Sequence, residues 1–156
     1  MELTCPKCNQ NTAIESSFEV KSFGCSHCNS FFTYNNSKLK FEKAYDYSPK
    51  DTILKIGTKG IIDGETYEIV GLIIKKAHAI YYWREYTLMS KSGKVKYLSE
   101  TDGHWILLEE VPESYDVSRK YKKLTHKEIS YNLYEYTDTF IARIYGFYEF
   151  EISGRP

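Results

Sequence analysis

The chain has 156 residues and balances 21 Lys plus Arg against 21 Asp plus Glu. A protein that relies on phosphate contacts carries a basic excess, so neutrality disfavours general nucleic-acid binding. Its four cysteines fall within the first 28 residues, which fits a reducing cytoplasm better than a disulfide framework. The longest apolar run, Ile69-Val70-Gly71-Leu72-Ile73-Ile74, is far short of the ~20 residues of a spanning helix, and no signal-peptide core precedes Cys5.

From the N-terminus, Cys5-Pro6-Lys7-Cys8 and Cys25-Ser26-His27-Cys28 form two C-x2-C pairs separated by 16 residues. This count and spacing match a tetrahedral zinc site with Cys5, Cys8, Cys25 and Cys28 as ligands. Four thiolates leave no coordination position for water or substrate, so Zn2+ is expected in a structural role. His27, between two ligands, reads as solvent-facing. Asn9 and Asn29 each follow the second cysteine of a pair, where the backbone needs a positive φ to turn its amides toward sulfur. Asparagine is the non-glycine residue that enters that region most readily. The segment 1–47 therefore reads as a zinc ribbon. One strand is expected to carry Phe18 and Val20 and another Phe31-Phe32-Thr33-Tyr34, with a turn at Asn35-Asn36-Ser37 before Leu39-Lys40-Phe41.

Residues 48–53 read as a linker, and 54–156 as an antiparallel β domain curled into a small barrel or sandwich. Fifteen tyrosines and eight phenylalanines against two methionines support a sheet-rich composition. Gly60-Ile61-Ile62 and the run 66–74 flank Asp63-Gly64-Glu65. The runs 81–89 and 95–99 flank Ser92-Gly93, and 95–99 and 105–108 flank Asp102-Gly103. Each pair is a hairpin around a glycine turn. A charged connector is expected near 119–123. Two or three more strands are expected over 129–152, with a helix over 125–136 as the alternative.

Chemistry-bearing residues cluster around the second hairpin. Glu85, Glu100 and Asp102, with His78 and His104 nearby, could form an acid/base site. Carboxylates beside turns are most often turn formers or ion-pair partners, and no nucleophile motif, phosphate loop or open metal triad accompanies them. A non-enzyme is therefore expected. Trp83 and Trp105 read first as core residues. With Tyr86 they alternatively form an aromatic platform for a partner, since Trp and Tyr join apolar area to a polar tip. Arg119, Lys120, Lys122 and Lys123, within the basic stretch 119–127, read as a solvated connector or as a partner-contacting strip.

Trp83-Arg84-Glu85-Tyr86 and Leu98-Ser99-Glu100-Thr101-Asp102-Gly103-His104-Trp105 lie behind a Gly-x-x-Gly-x-Ile-x-Gly-x-x-Tyr-x-Ile-x-Gly pattern at 57–71. In these features residues 54–150 resemble the domain-of-unknown-function family 4178, with Tyr97 where that family has tryptophan. The resemblance implies a β-rich domain of bacterial or phage type, often preceded by a zinc ribbon and without an assigned reaction. Some relatives continue into a further domain or a membrane segment. The resulting expectation is a protein-interaction module or adaptor with an unidentified protein partner. The alternatives are a nucleic-acid binder using the ribbon and the 119–127 strip, and an enzyme with its site near Glu85, Glu100 and Asp102.

Overall fold

The computed structural model describes residues 1–35, 38–46, 53–78, 80–115 and 122–152. Thirteen strands form among them, and no helix. In chain order they are β1 (Glu2–Thr4), β2 (Asn11–Ala13), β3 (Ser22–Gly24), β4 (Ser30–Asn35) and β5 (Lys38–Ala44). There follow β6 (Lys59–Ile62), β7 (Glu65–Ala77), β8 (Tyr81–Ser90), β9 (Val95–Thr101) and β10 (His104–Leu108), then β11 (Lys123–His126), β12 (Ile129–Asn132) and β13 (Thr139–Tyr148). The expected β class holds. The helical alternative over 125–136 does not, because β11 and β12 pair across a tight turn in which Lys127 and Glu128 both take positive φ.

Turn chemistry explains the meander. Asp63-Gly64 and Asp102-Gly103 have positive φ at both central residues, the mirror-image turn that matches the natural twist of paired strands. Between β8 and β9 the amide of Gly93 donates to Ser90 O at 3.0 Å, with Gly93 at φ +84°. This is the three-residue loop that ends in a left-handed glycine.

Nine strands share one open antiparallel sheet in the order β10-β9-β8-β7-β13-β3-β4-β5, with β6 also pairing on β7. The last long strand, β13, thus lies between β7 and β3, so hydrogen bonding runs without interruption from the cysteine-bearing segment into the C-terminal one. Most of the expected linker, 48–52, lies outside the described residues. Gly146 of β13 pairs with Gly24 of β3 on one side and Gly71 of β7 on the other. This glycine row sits beside a bulge in β7 between Ile69 and Gly71. Bulges bend a sheet, and here the bend falls where the two expected segments join.

The core follows that junction. Cys5, Cys25, Phe23 and Phe32 from the N-terminal segment pack with Val70, Met89 and Phe147 from β7, β8 and β13. The rings of Phe23 and Phe147 are 5.3 Å apart. A second cluster joins Leu72, Ile74, Tyr86, Leu88 and Tyr145, and a third joins Phe31, Ile144 and Tyr148.

The strand expected to carry Phe18 and Val20 is absent, since β3 begins only at Ser22. The backbone there is committed elsewhere: the amides of Glu15 and Ser16 each donate to the Glu68 carboxylate at 2.8 Å, and Ser16 Oγ donates at 2.7 Å. Glu68, buried in β7, thus ties the stretch between the two cysteine pairs onto the sheet. Glu68→Gln turns one of these acceptors into a donor, and is expected to cost about 2 kcal/mol in denaturant unfolding.

Candidate functional site

The four cysteine sulfurs converge. Cys5 Sγ lies 3.6 Å from Cys28 Sγ, Cys8 Sγ lies 3.6 Å from Cys25 Sγ, and all four lie within 4.8 Å of one another. A tetrahedron with metal–sulfur bonds of ~2.3 Å has edges of ~3.8 Å, so the donor set fits a metal ion. Each pair sits in the same loop: Asn9 N donates to Cys5 O at 2.9 Å, and Asn29 N donates to Cys25 O at 3.1 Å. Both asparagines have φ +59°, as their positions in the sequence require. The amides of Lys7 and Cys8 thereby face Cys5 Sγ, and those of His27 and Cys28 face Cys25 Sγ. His27 is exposed.

Electrostatics within the cluster is uneven. Burial pushes the Cys25 thiol up to about 12 and raises Cys5 as well. Desolvation also acts against the Cys28 thiolate, but the hydroxyl and amide of Ser30, together with the Cys8 and Cys5 thiols, outweigh it and hold that group down to about 7. A metal bound here would have to displace protons, most of all from Cys25, and would bind more weakly as pH falls.

The carboxylates near the second hairpin are not brought together. Arg84 pairs with Glu100 across β8 and β9, so Glu85, the next residue on β8, points to the opposite face from Glu100. Each is also engaged: Glu100 accepts from Arg84 at 2.7 Å and from the Gly103 amide at 2.9 Å. Glu85 accepts from Trp83 Nε1 at 2.8 Å and pairs with Lys75 at 2.7 Å. Asp102 is a turn residue with φ +49°. His78 sits at positive φ after β7, and His104 opens β10.

The aromatic candidates separate. Tyr86 is wholly buried and cannot touch a partner in this fold, whereas Trp105 stacks on it at 5.9 Å and remains 41% exposed. The core expectation therefore fails for Trp105, which lies on the edge strand β10. Trp83 is half-buried and tied to Glu85. Lys122 and Lys123 are exposed at the start of the separate β11–β12 hairpin, and Arg119 and Lys120 lie outside the described residues.

Sequence reading missed the character of β10. Among the described residues its five residues, His-Trp-Ile-Leu-Leu, pair with β9 on one side only. Trp105, Ile106, Leu107 and Leu108 are each at least 41% exposed. Long apolar edges are normally shielded by charge, proline or a bulge, and this strand has none of these. A signal was present: Trp105-Ile106-Leu107-Leu108 does not alternate with polar residues, so one strand face would have to place apolar groups in water.

No helix among the described residues is long and apolar enough to cross a membrane. No curated protein and no solved structure matches the chain. Residues 55–150, well over half of the chain, match a domain of unknown function, DUF4178, in a span that begins after the four cysteines. The second hairpin, the glycine row at Gly71 and Gly146 and the exposed edge β10 all lie inside that span, and the chain belongs to the DUF4178 family.

Proposed function

We propose that the chain is a non-enzymatic, zinc-folded protein-interaction module of the cytoplasm that takes an extended segment of a partner protein as an added strand along β10. The carrying observation is the apolar edge from Trp105 to Leu108, which no other strand among the described residues pairs. An edge strand offers its free amides and carbonyls to any extended peptide, and alternate side chains then give selectivity. Here Trp105 and Leu107 would contact such a segment on one face, and Ile106 and Leu108 on the other. Zinc suits the all-sulfur tetrahedral donor set, which is closed to substrate and needs no redox chemistry. Its place is to organise the sheet whose far edge does the binding.

Ile106→Lys tests this reading, because Ile106 is 59% exposed and lysine is the residue that natural edges use to repel strands. Parent and variant are compared by affinity capture from the native host, with zinc content and circular dichroism as controls. A partner held by the parent and at least about tenfold weaker on the variant supports the proposal. A partner indifferent to Ile106→Lys counts against it. So does binding that collapses between ~50 and ~200 mM salt, which marks phosphate contacts instead.

A further inference from the structure

Arg143, near the middle of β13, is only 1% exposed. Its Nη1 donates to Asn29 Oδ1 at 2.5 Å and to the Tyr145 hydroxyl at 2.6 Å, and the Tyr145 ring lies 5.5 Å from its guanidinium carbon. Among the described residues Nε and Nη2 have no acceptor, and no carboxylate forms an ion pair with it. The contrast with Arg84 is direct: that arginine meets Glu100 at 2.7 Å. Arginine does not lose its proton in proteins, and a buried charge without a counter-ion is strongly unfavourable. Some negative charge must therefore compensate Arg143.

The neighbour it touches identifies that charge. Asn29 directly follows Cys28, its amide donates to Cys25 O at 3.1 Å, and its carbonyl accepts from the Tyr45 amide at 3.0 Å. It is thus the left-handed pivot of the loop that carries two of the four sulfurs. Four thiolates around a divalent ion leave two excess negative charges, and in a buried environment these act over longer distances than in water. We propose that Arg143 is the buried counter-charge of the metal–thiolate centre, held against it through Asn29 by a strand 114 positions away in the chain. It is a positioning and electrostatic residue, not a ligand. Metal affinity then depends on the seating of β13, and the DUF4178 segment takes part in the N-terminal metal site. This inference rests on the zinc reading above.

Chelator competition with Zn2+ on the full chain separates the two. If the reduced parent fails to bind zinc stoichiometrically, the zinc reading falls and this inference with it. If the parent binds, Arg143→Met is expected to weaken zinc at least about tenfold, the loss typical for groups that support metal ligands from behind. Only Nη1 is engaged by hydrogen bonds, so a point charge can replace the guanidinium, and Arg143→Lys is expected to recover most of the affinity. A merely structural arginine would not be rescued in this way. Parental affinity in Arg143→Met overturns the inference, as does a lysine variant as weak as the methionine one. Should Arg143→Met not fold, Asn29→Gly decides: it keeps the left-handed backbone, removes the Oδ1 link, and is expected to lose about tenfold, whereas unchanged affinity overturns the proposal.

Discussion

With zinc bound as proposed, its chelation, or Cys25→Ser, is expected to release β3, β4 and β5 from the sheet while β7 and β8 stay protected longest. The first reason is energetic. Apparent zinc-binding free energies of small four-ligand sites are about 10–16 kcal/mol, as large as the whole stability of an ordinary domain. The second is geometric. Cys5 and Cys25 are fully buried beside Phe23 and Phe32, so opening the cluster also opens that apolar group. The third is the weakness of what remains. β3 has three residues, and its pairing with β13 spans only Gly24 to Gly146, Phe23 to Phe147 and Ser22 to Tyr148. β7 and β8, by contrast, pair along ten registered positions and share the separate cluster of Leu72, Ile74, Tyr86 and Leu88. Hydrogen exchange with and without chelator checks this: β3–β5 amides should lose protection first, and a uniform loss, or none, refutes it.

Local features were legible where local chemistry decides. The cysteine spacing foretold that four sulfurs converge, and Asn9 and Asn29 gave the left-handed positions of the two loops. Asp-Gly gave two hairpins with glycine at positive φ. What sequence did not reveal is non-local. Nothing near Gly146 announces that β13 will insert between β7 and β3, because that choice is made by pairing across more than a hundred residues. Arg143 looks like an ordinary strand cation until β13 is placed beside the second cysteine loop. Lys127-Glu128 forms a tight turn without glycine, so its sequence carries no turn signal and leaves the helical alternative over 125–136 open. Tyr86 and Trp105 could not be separated by residue type, since both are large aromatics on strands. Burial was decided by position in the sheet, Tyr86 on the third strand from the edge and Trp105 on the edge itself.

The junction between the cysteine-bearing segment and the DUF4178 domain makes Gly146 the most sensitive backbone position. Gly146→Ala is expected to destabilise the metal-loaded protein by about 3 kcal/mol or more, for two separable reasons. At φ +84° a side chain is strained in any surroundings, at about 1–2 kcal/mol. In addition, a Cβ there would lie 2.2 Å from Val70 O and 3.0 Å from Gly71 Cα, and both belong to backbone that cannot rotate away. Val70 occupies the bulge of β7, so relieving the clash means undoing the bulge or parting β13 from β7. Gly24 across the pair repeats the constraint, with a Cβ 2.2 Å from Ile144 O, so the sheet cannot shift toward β3 either. Gly103→Ala is the internal control. It has nearly the same φ, +81°, but nothing within 4 Å of an added Cβ, so it carries the conformational strain without the clash. Its expected cost is about 1–2 kcal/mol. Denaturant unfolding of both variants, metal-loaded, separates conformational strain from steric exclusion; equal losses would mean that the close approach of β7 to β13 carries no weight.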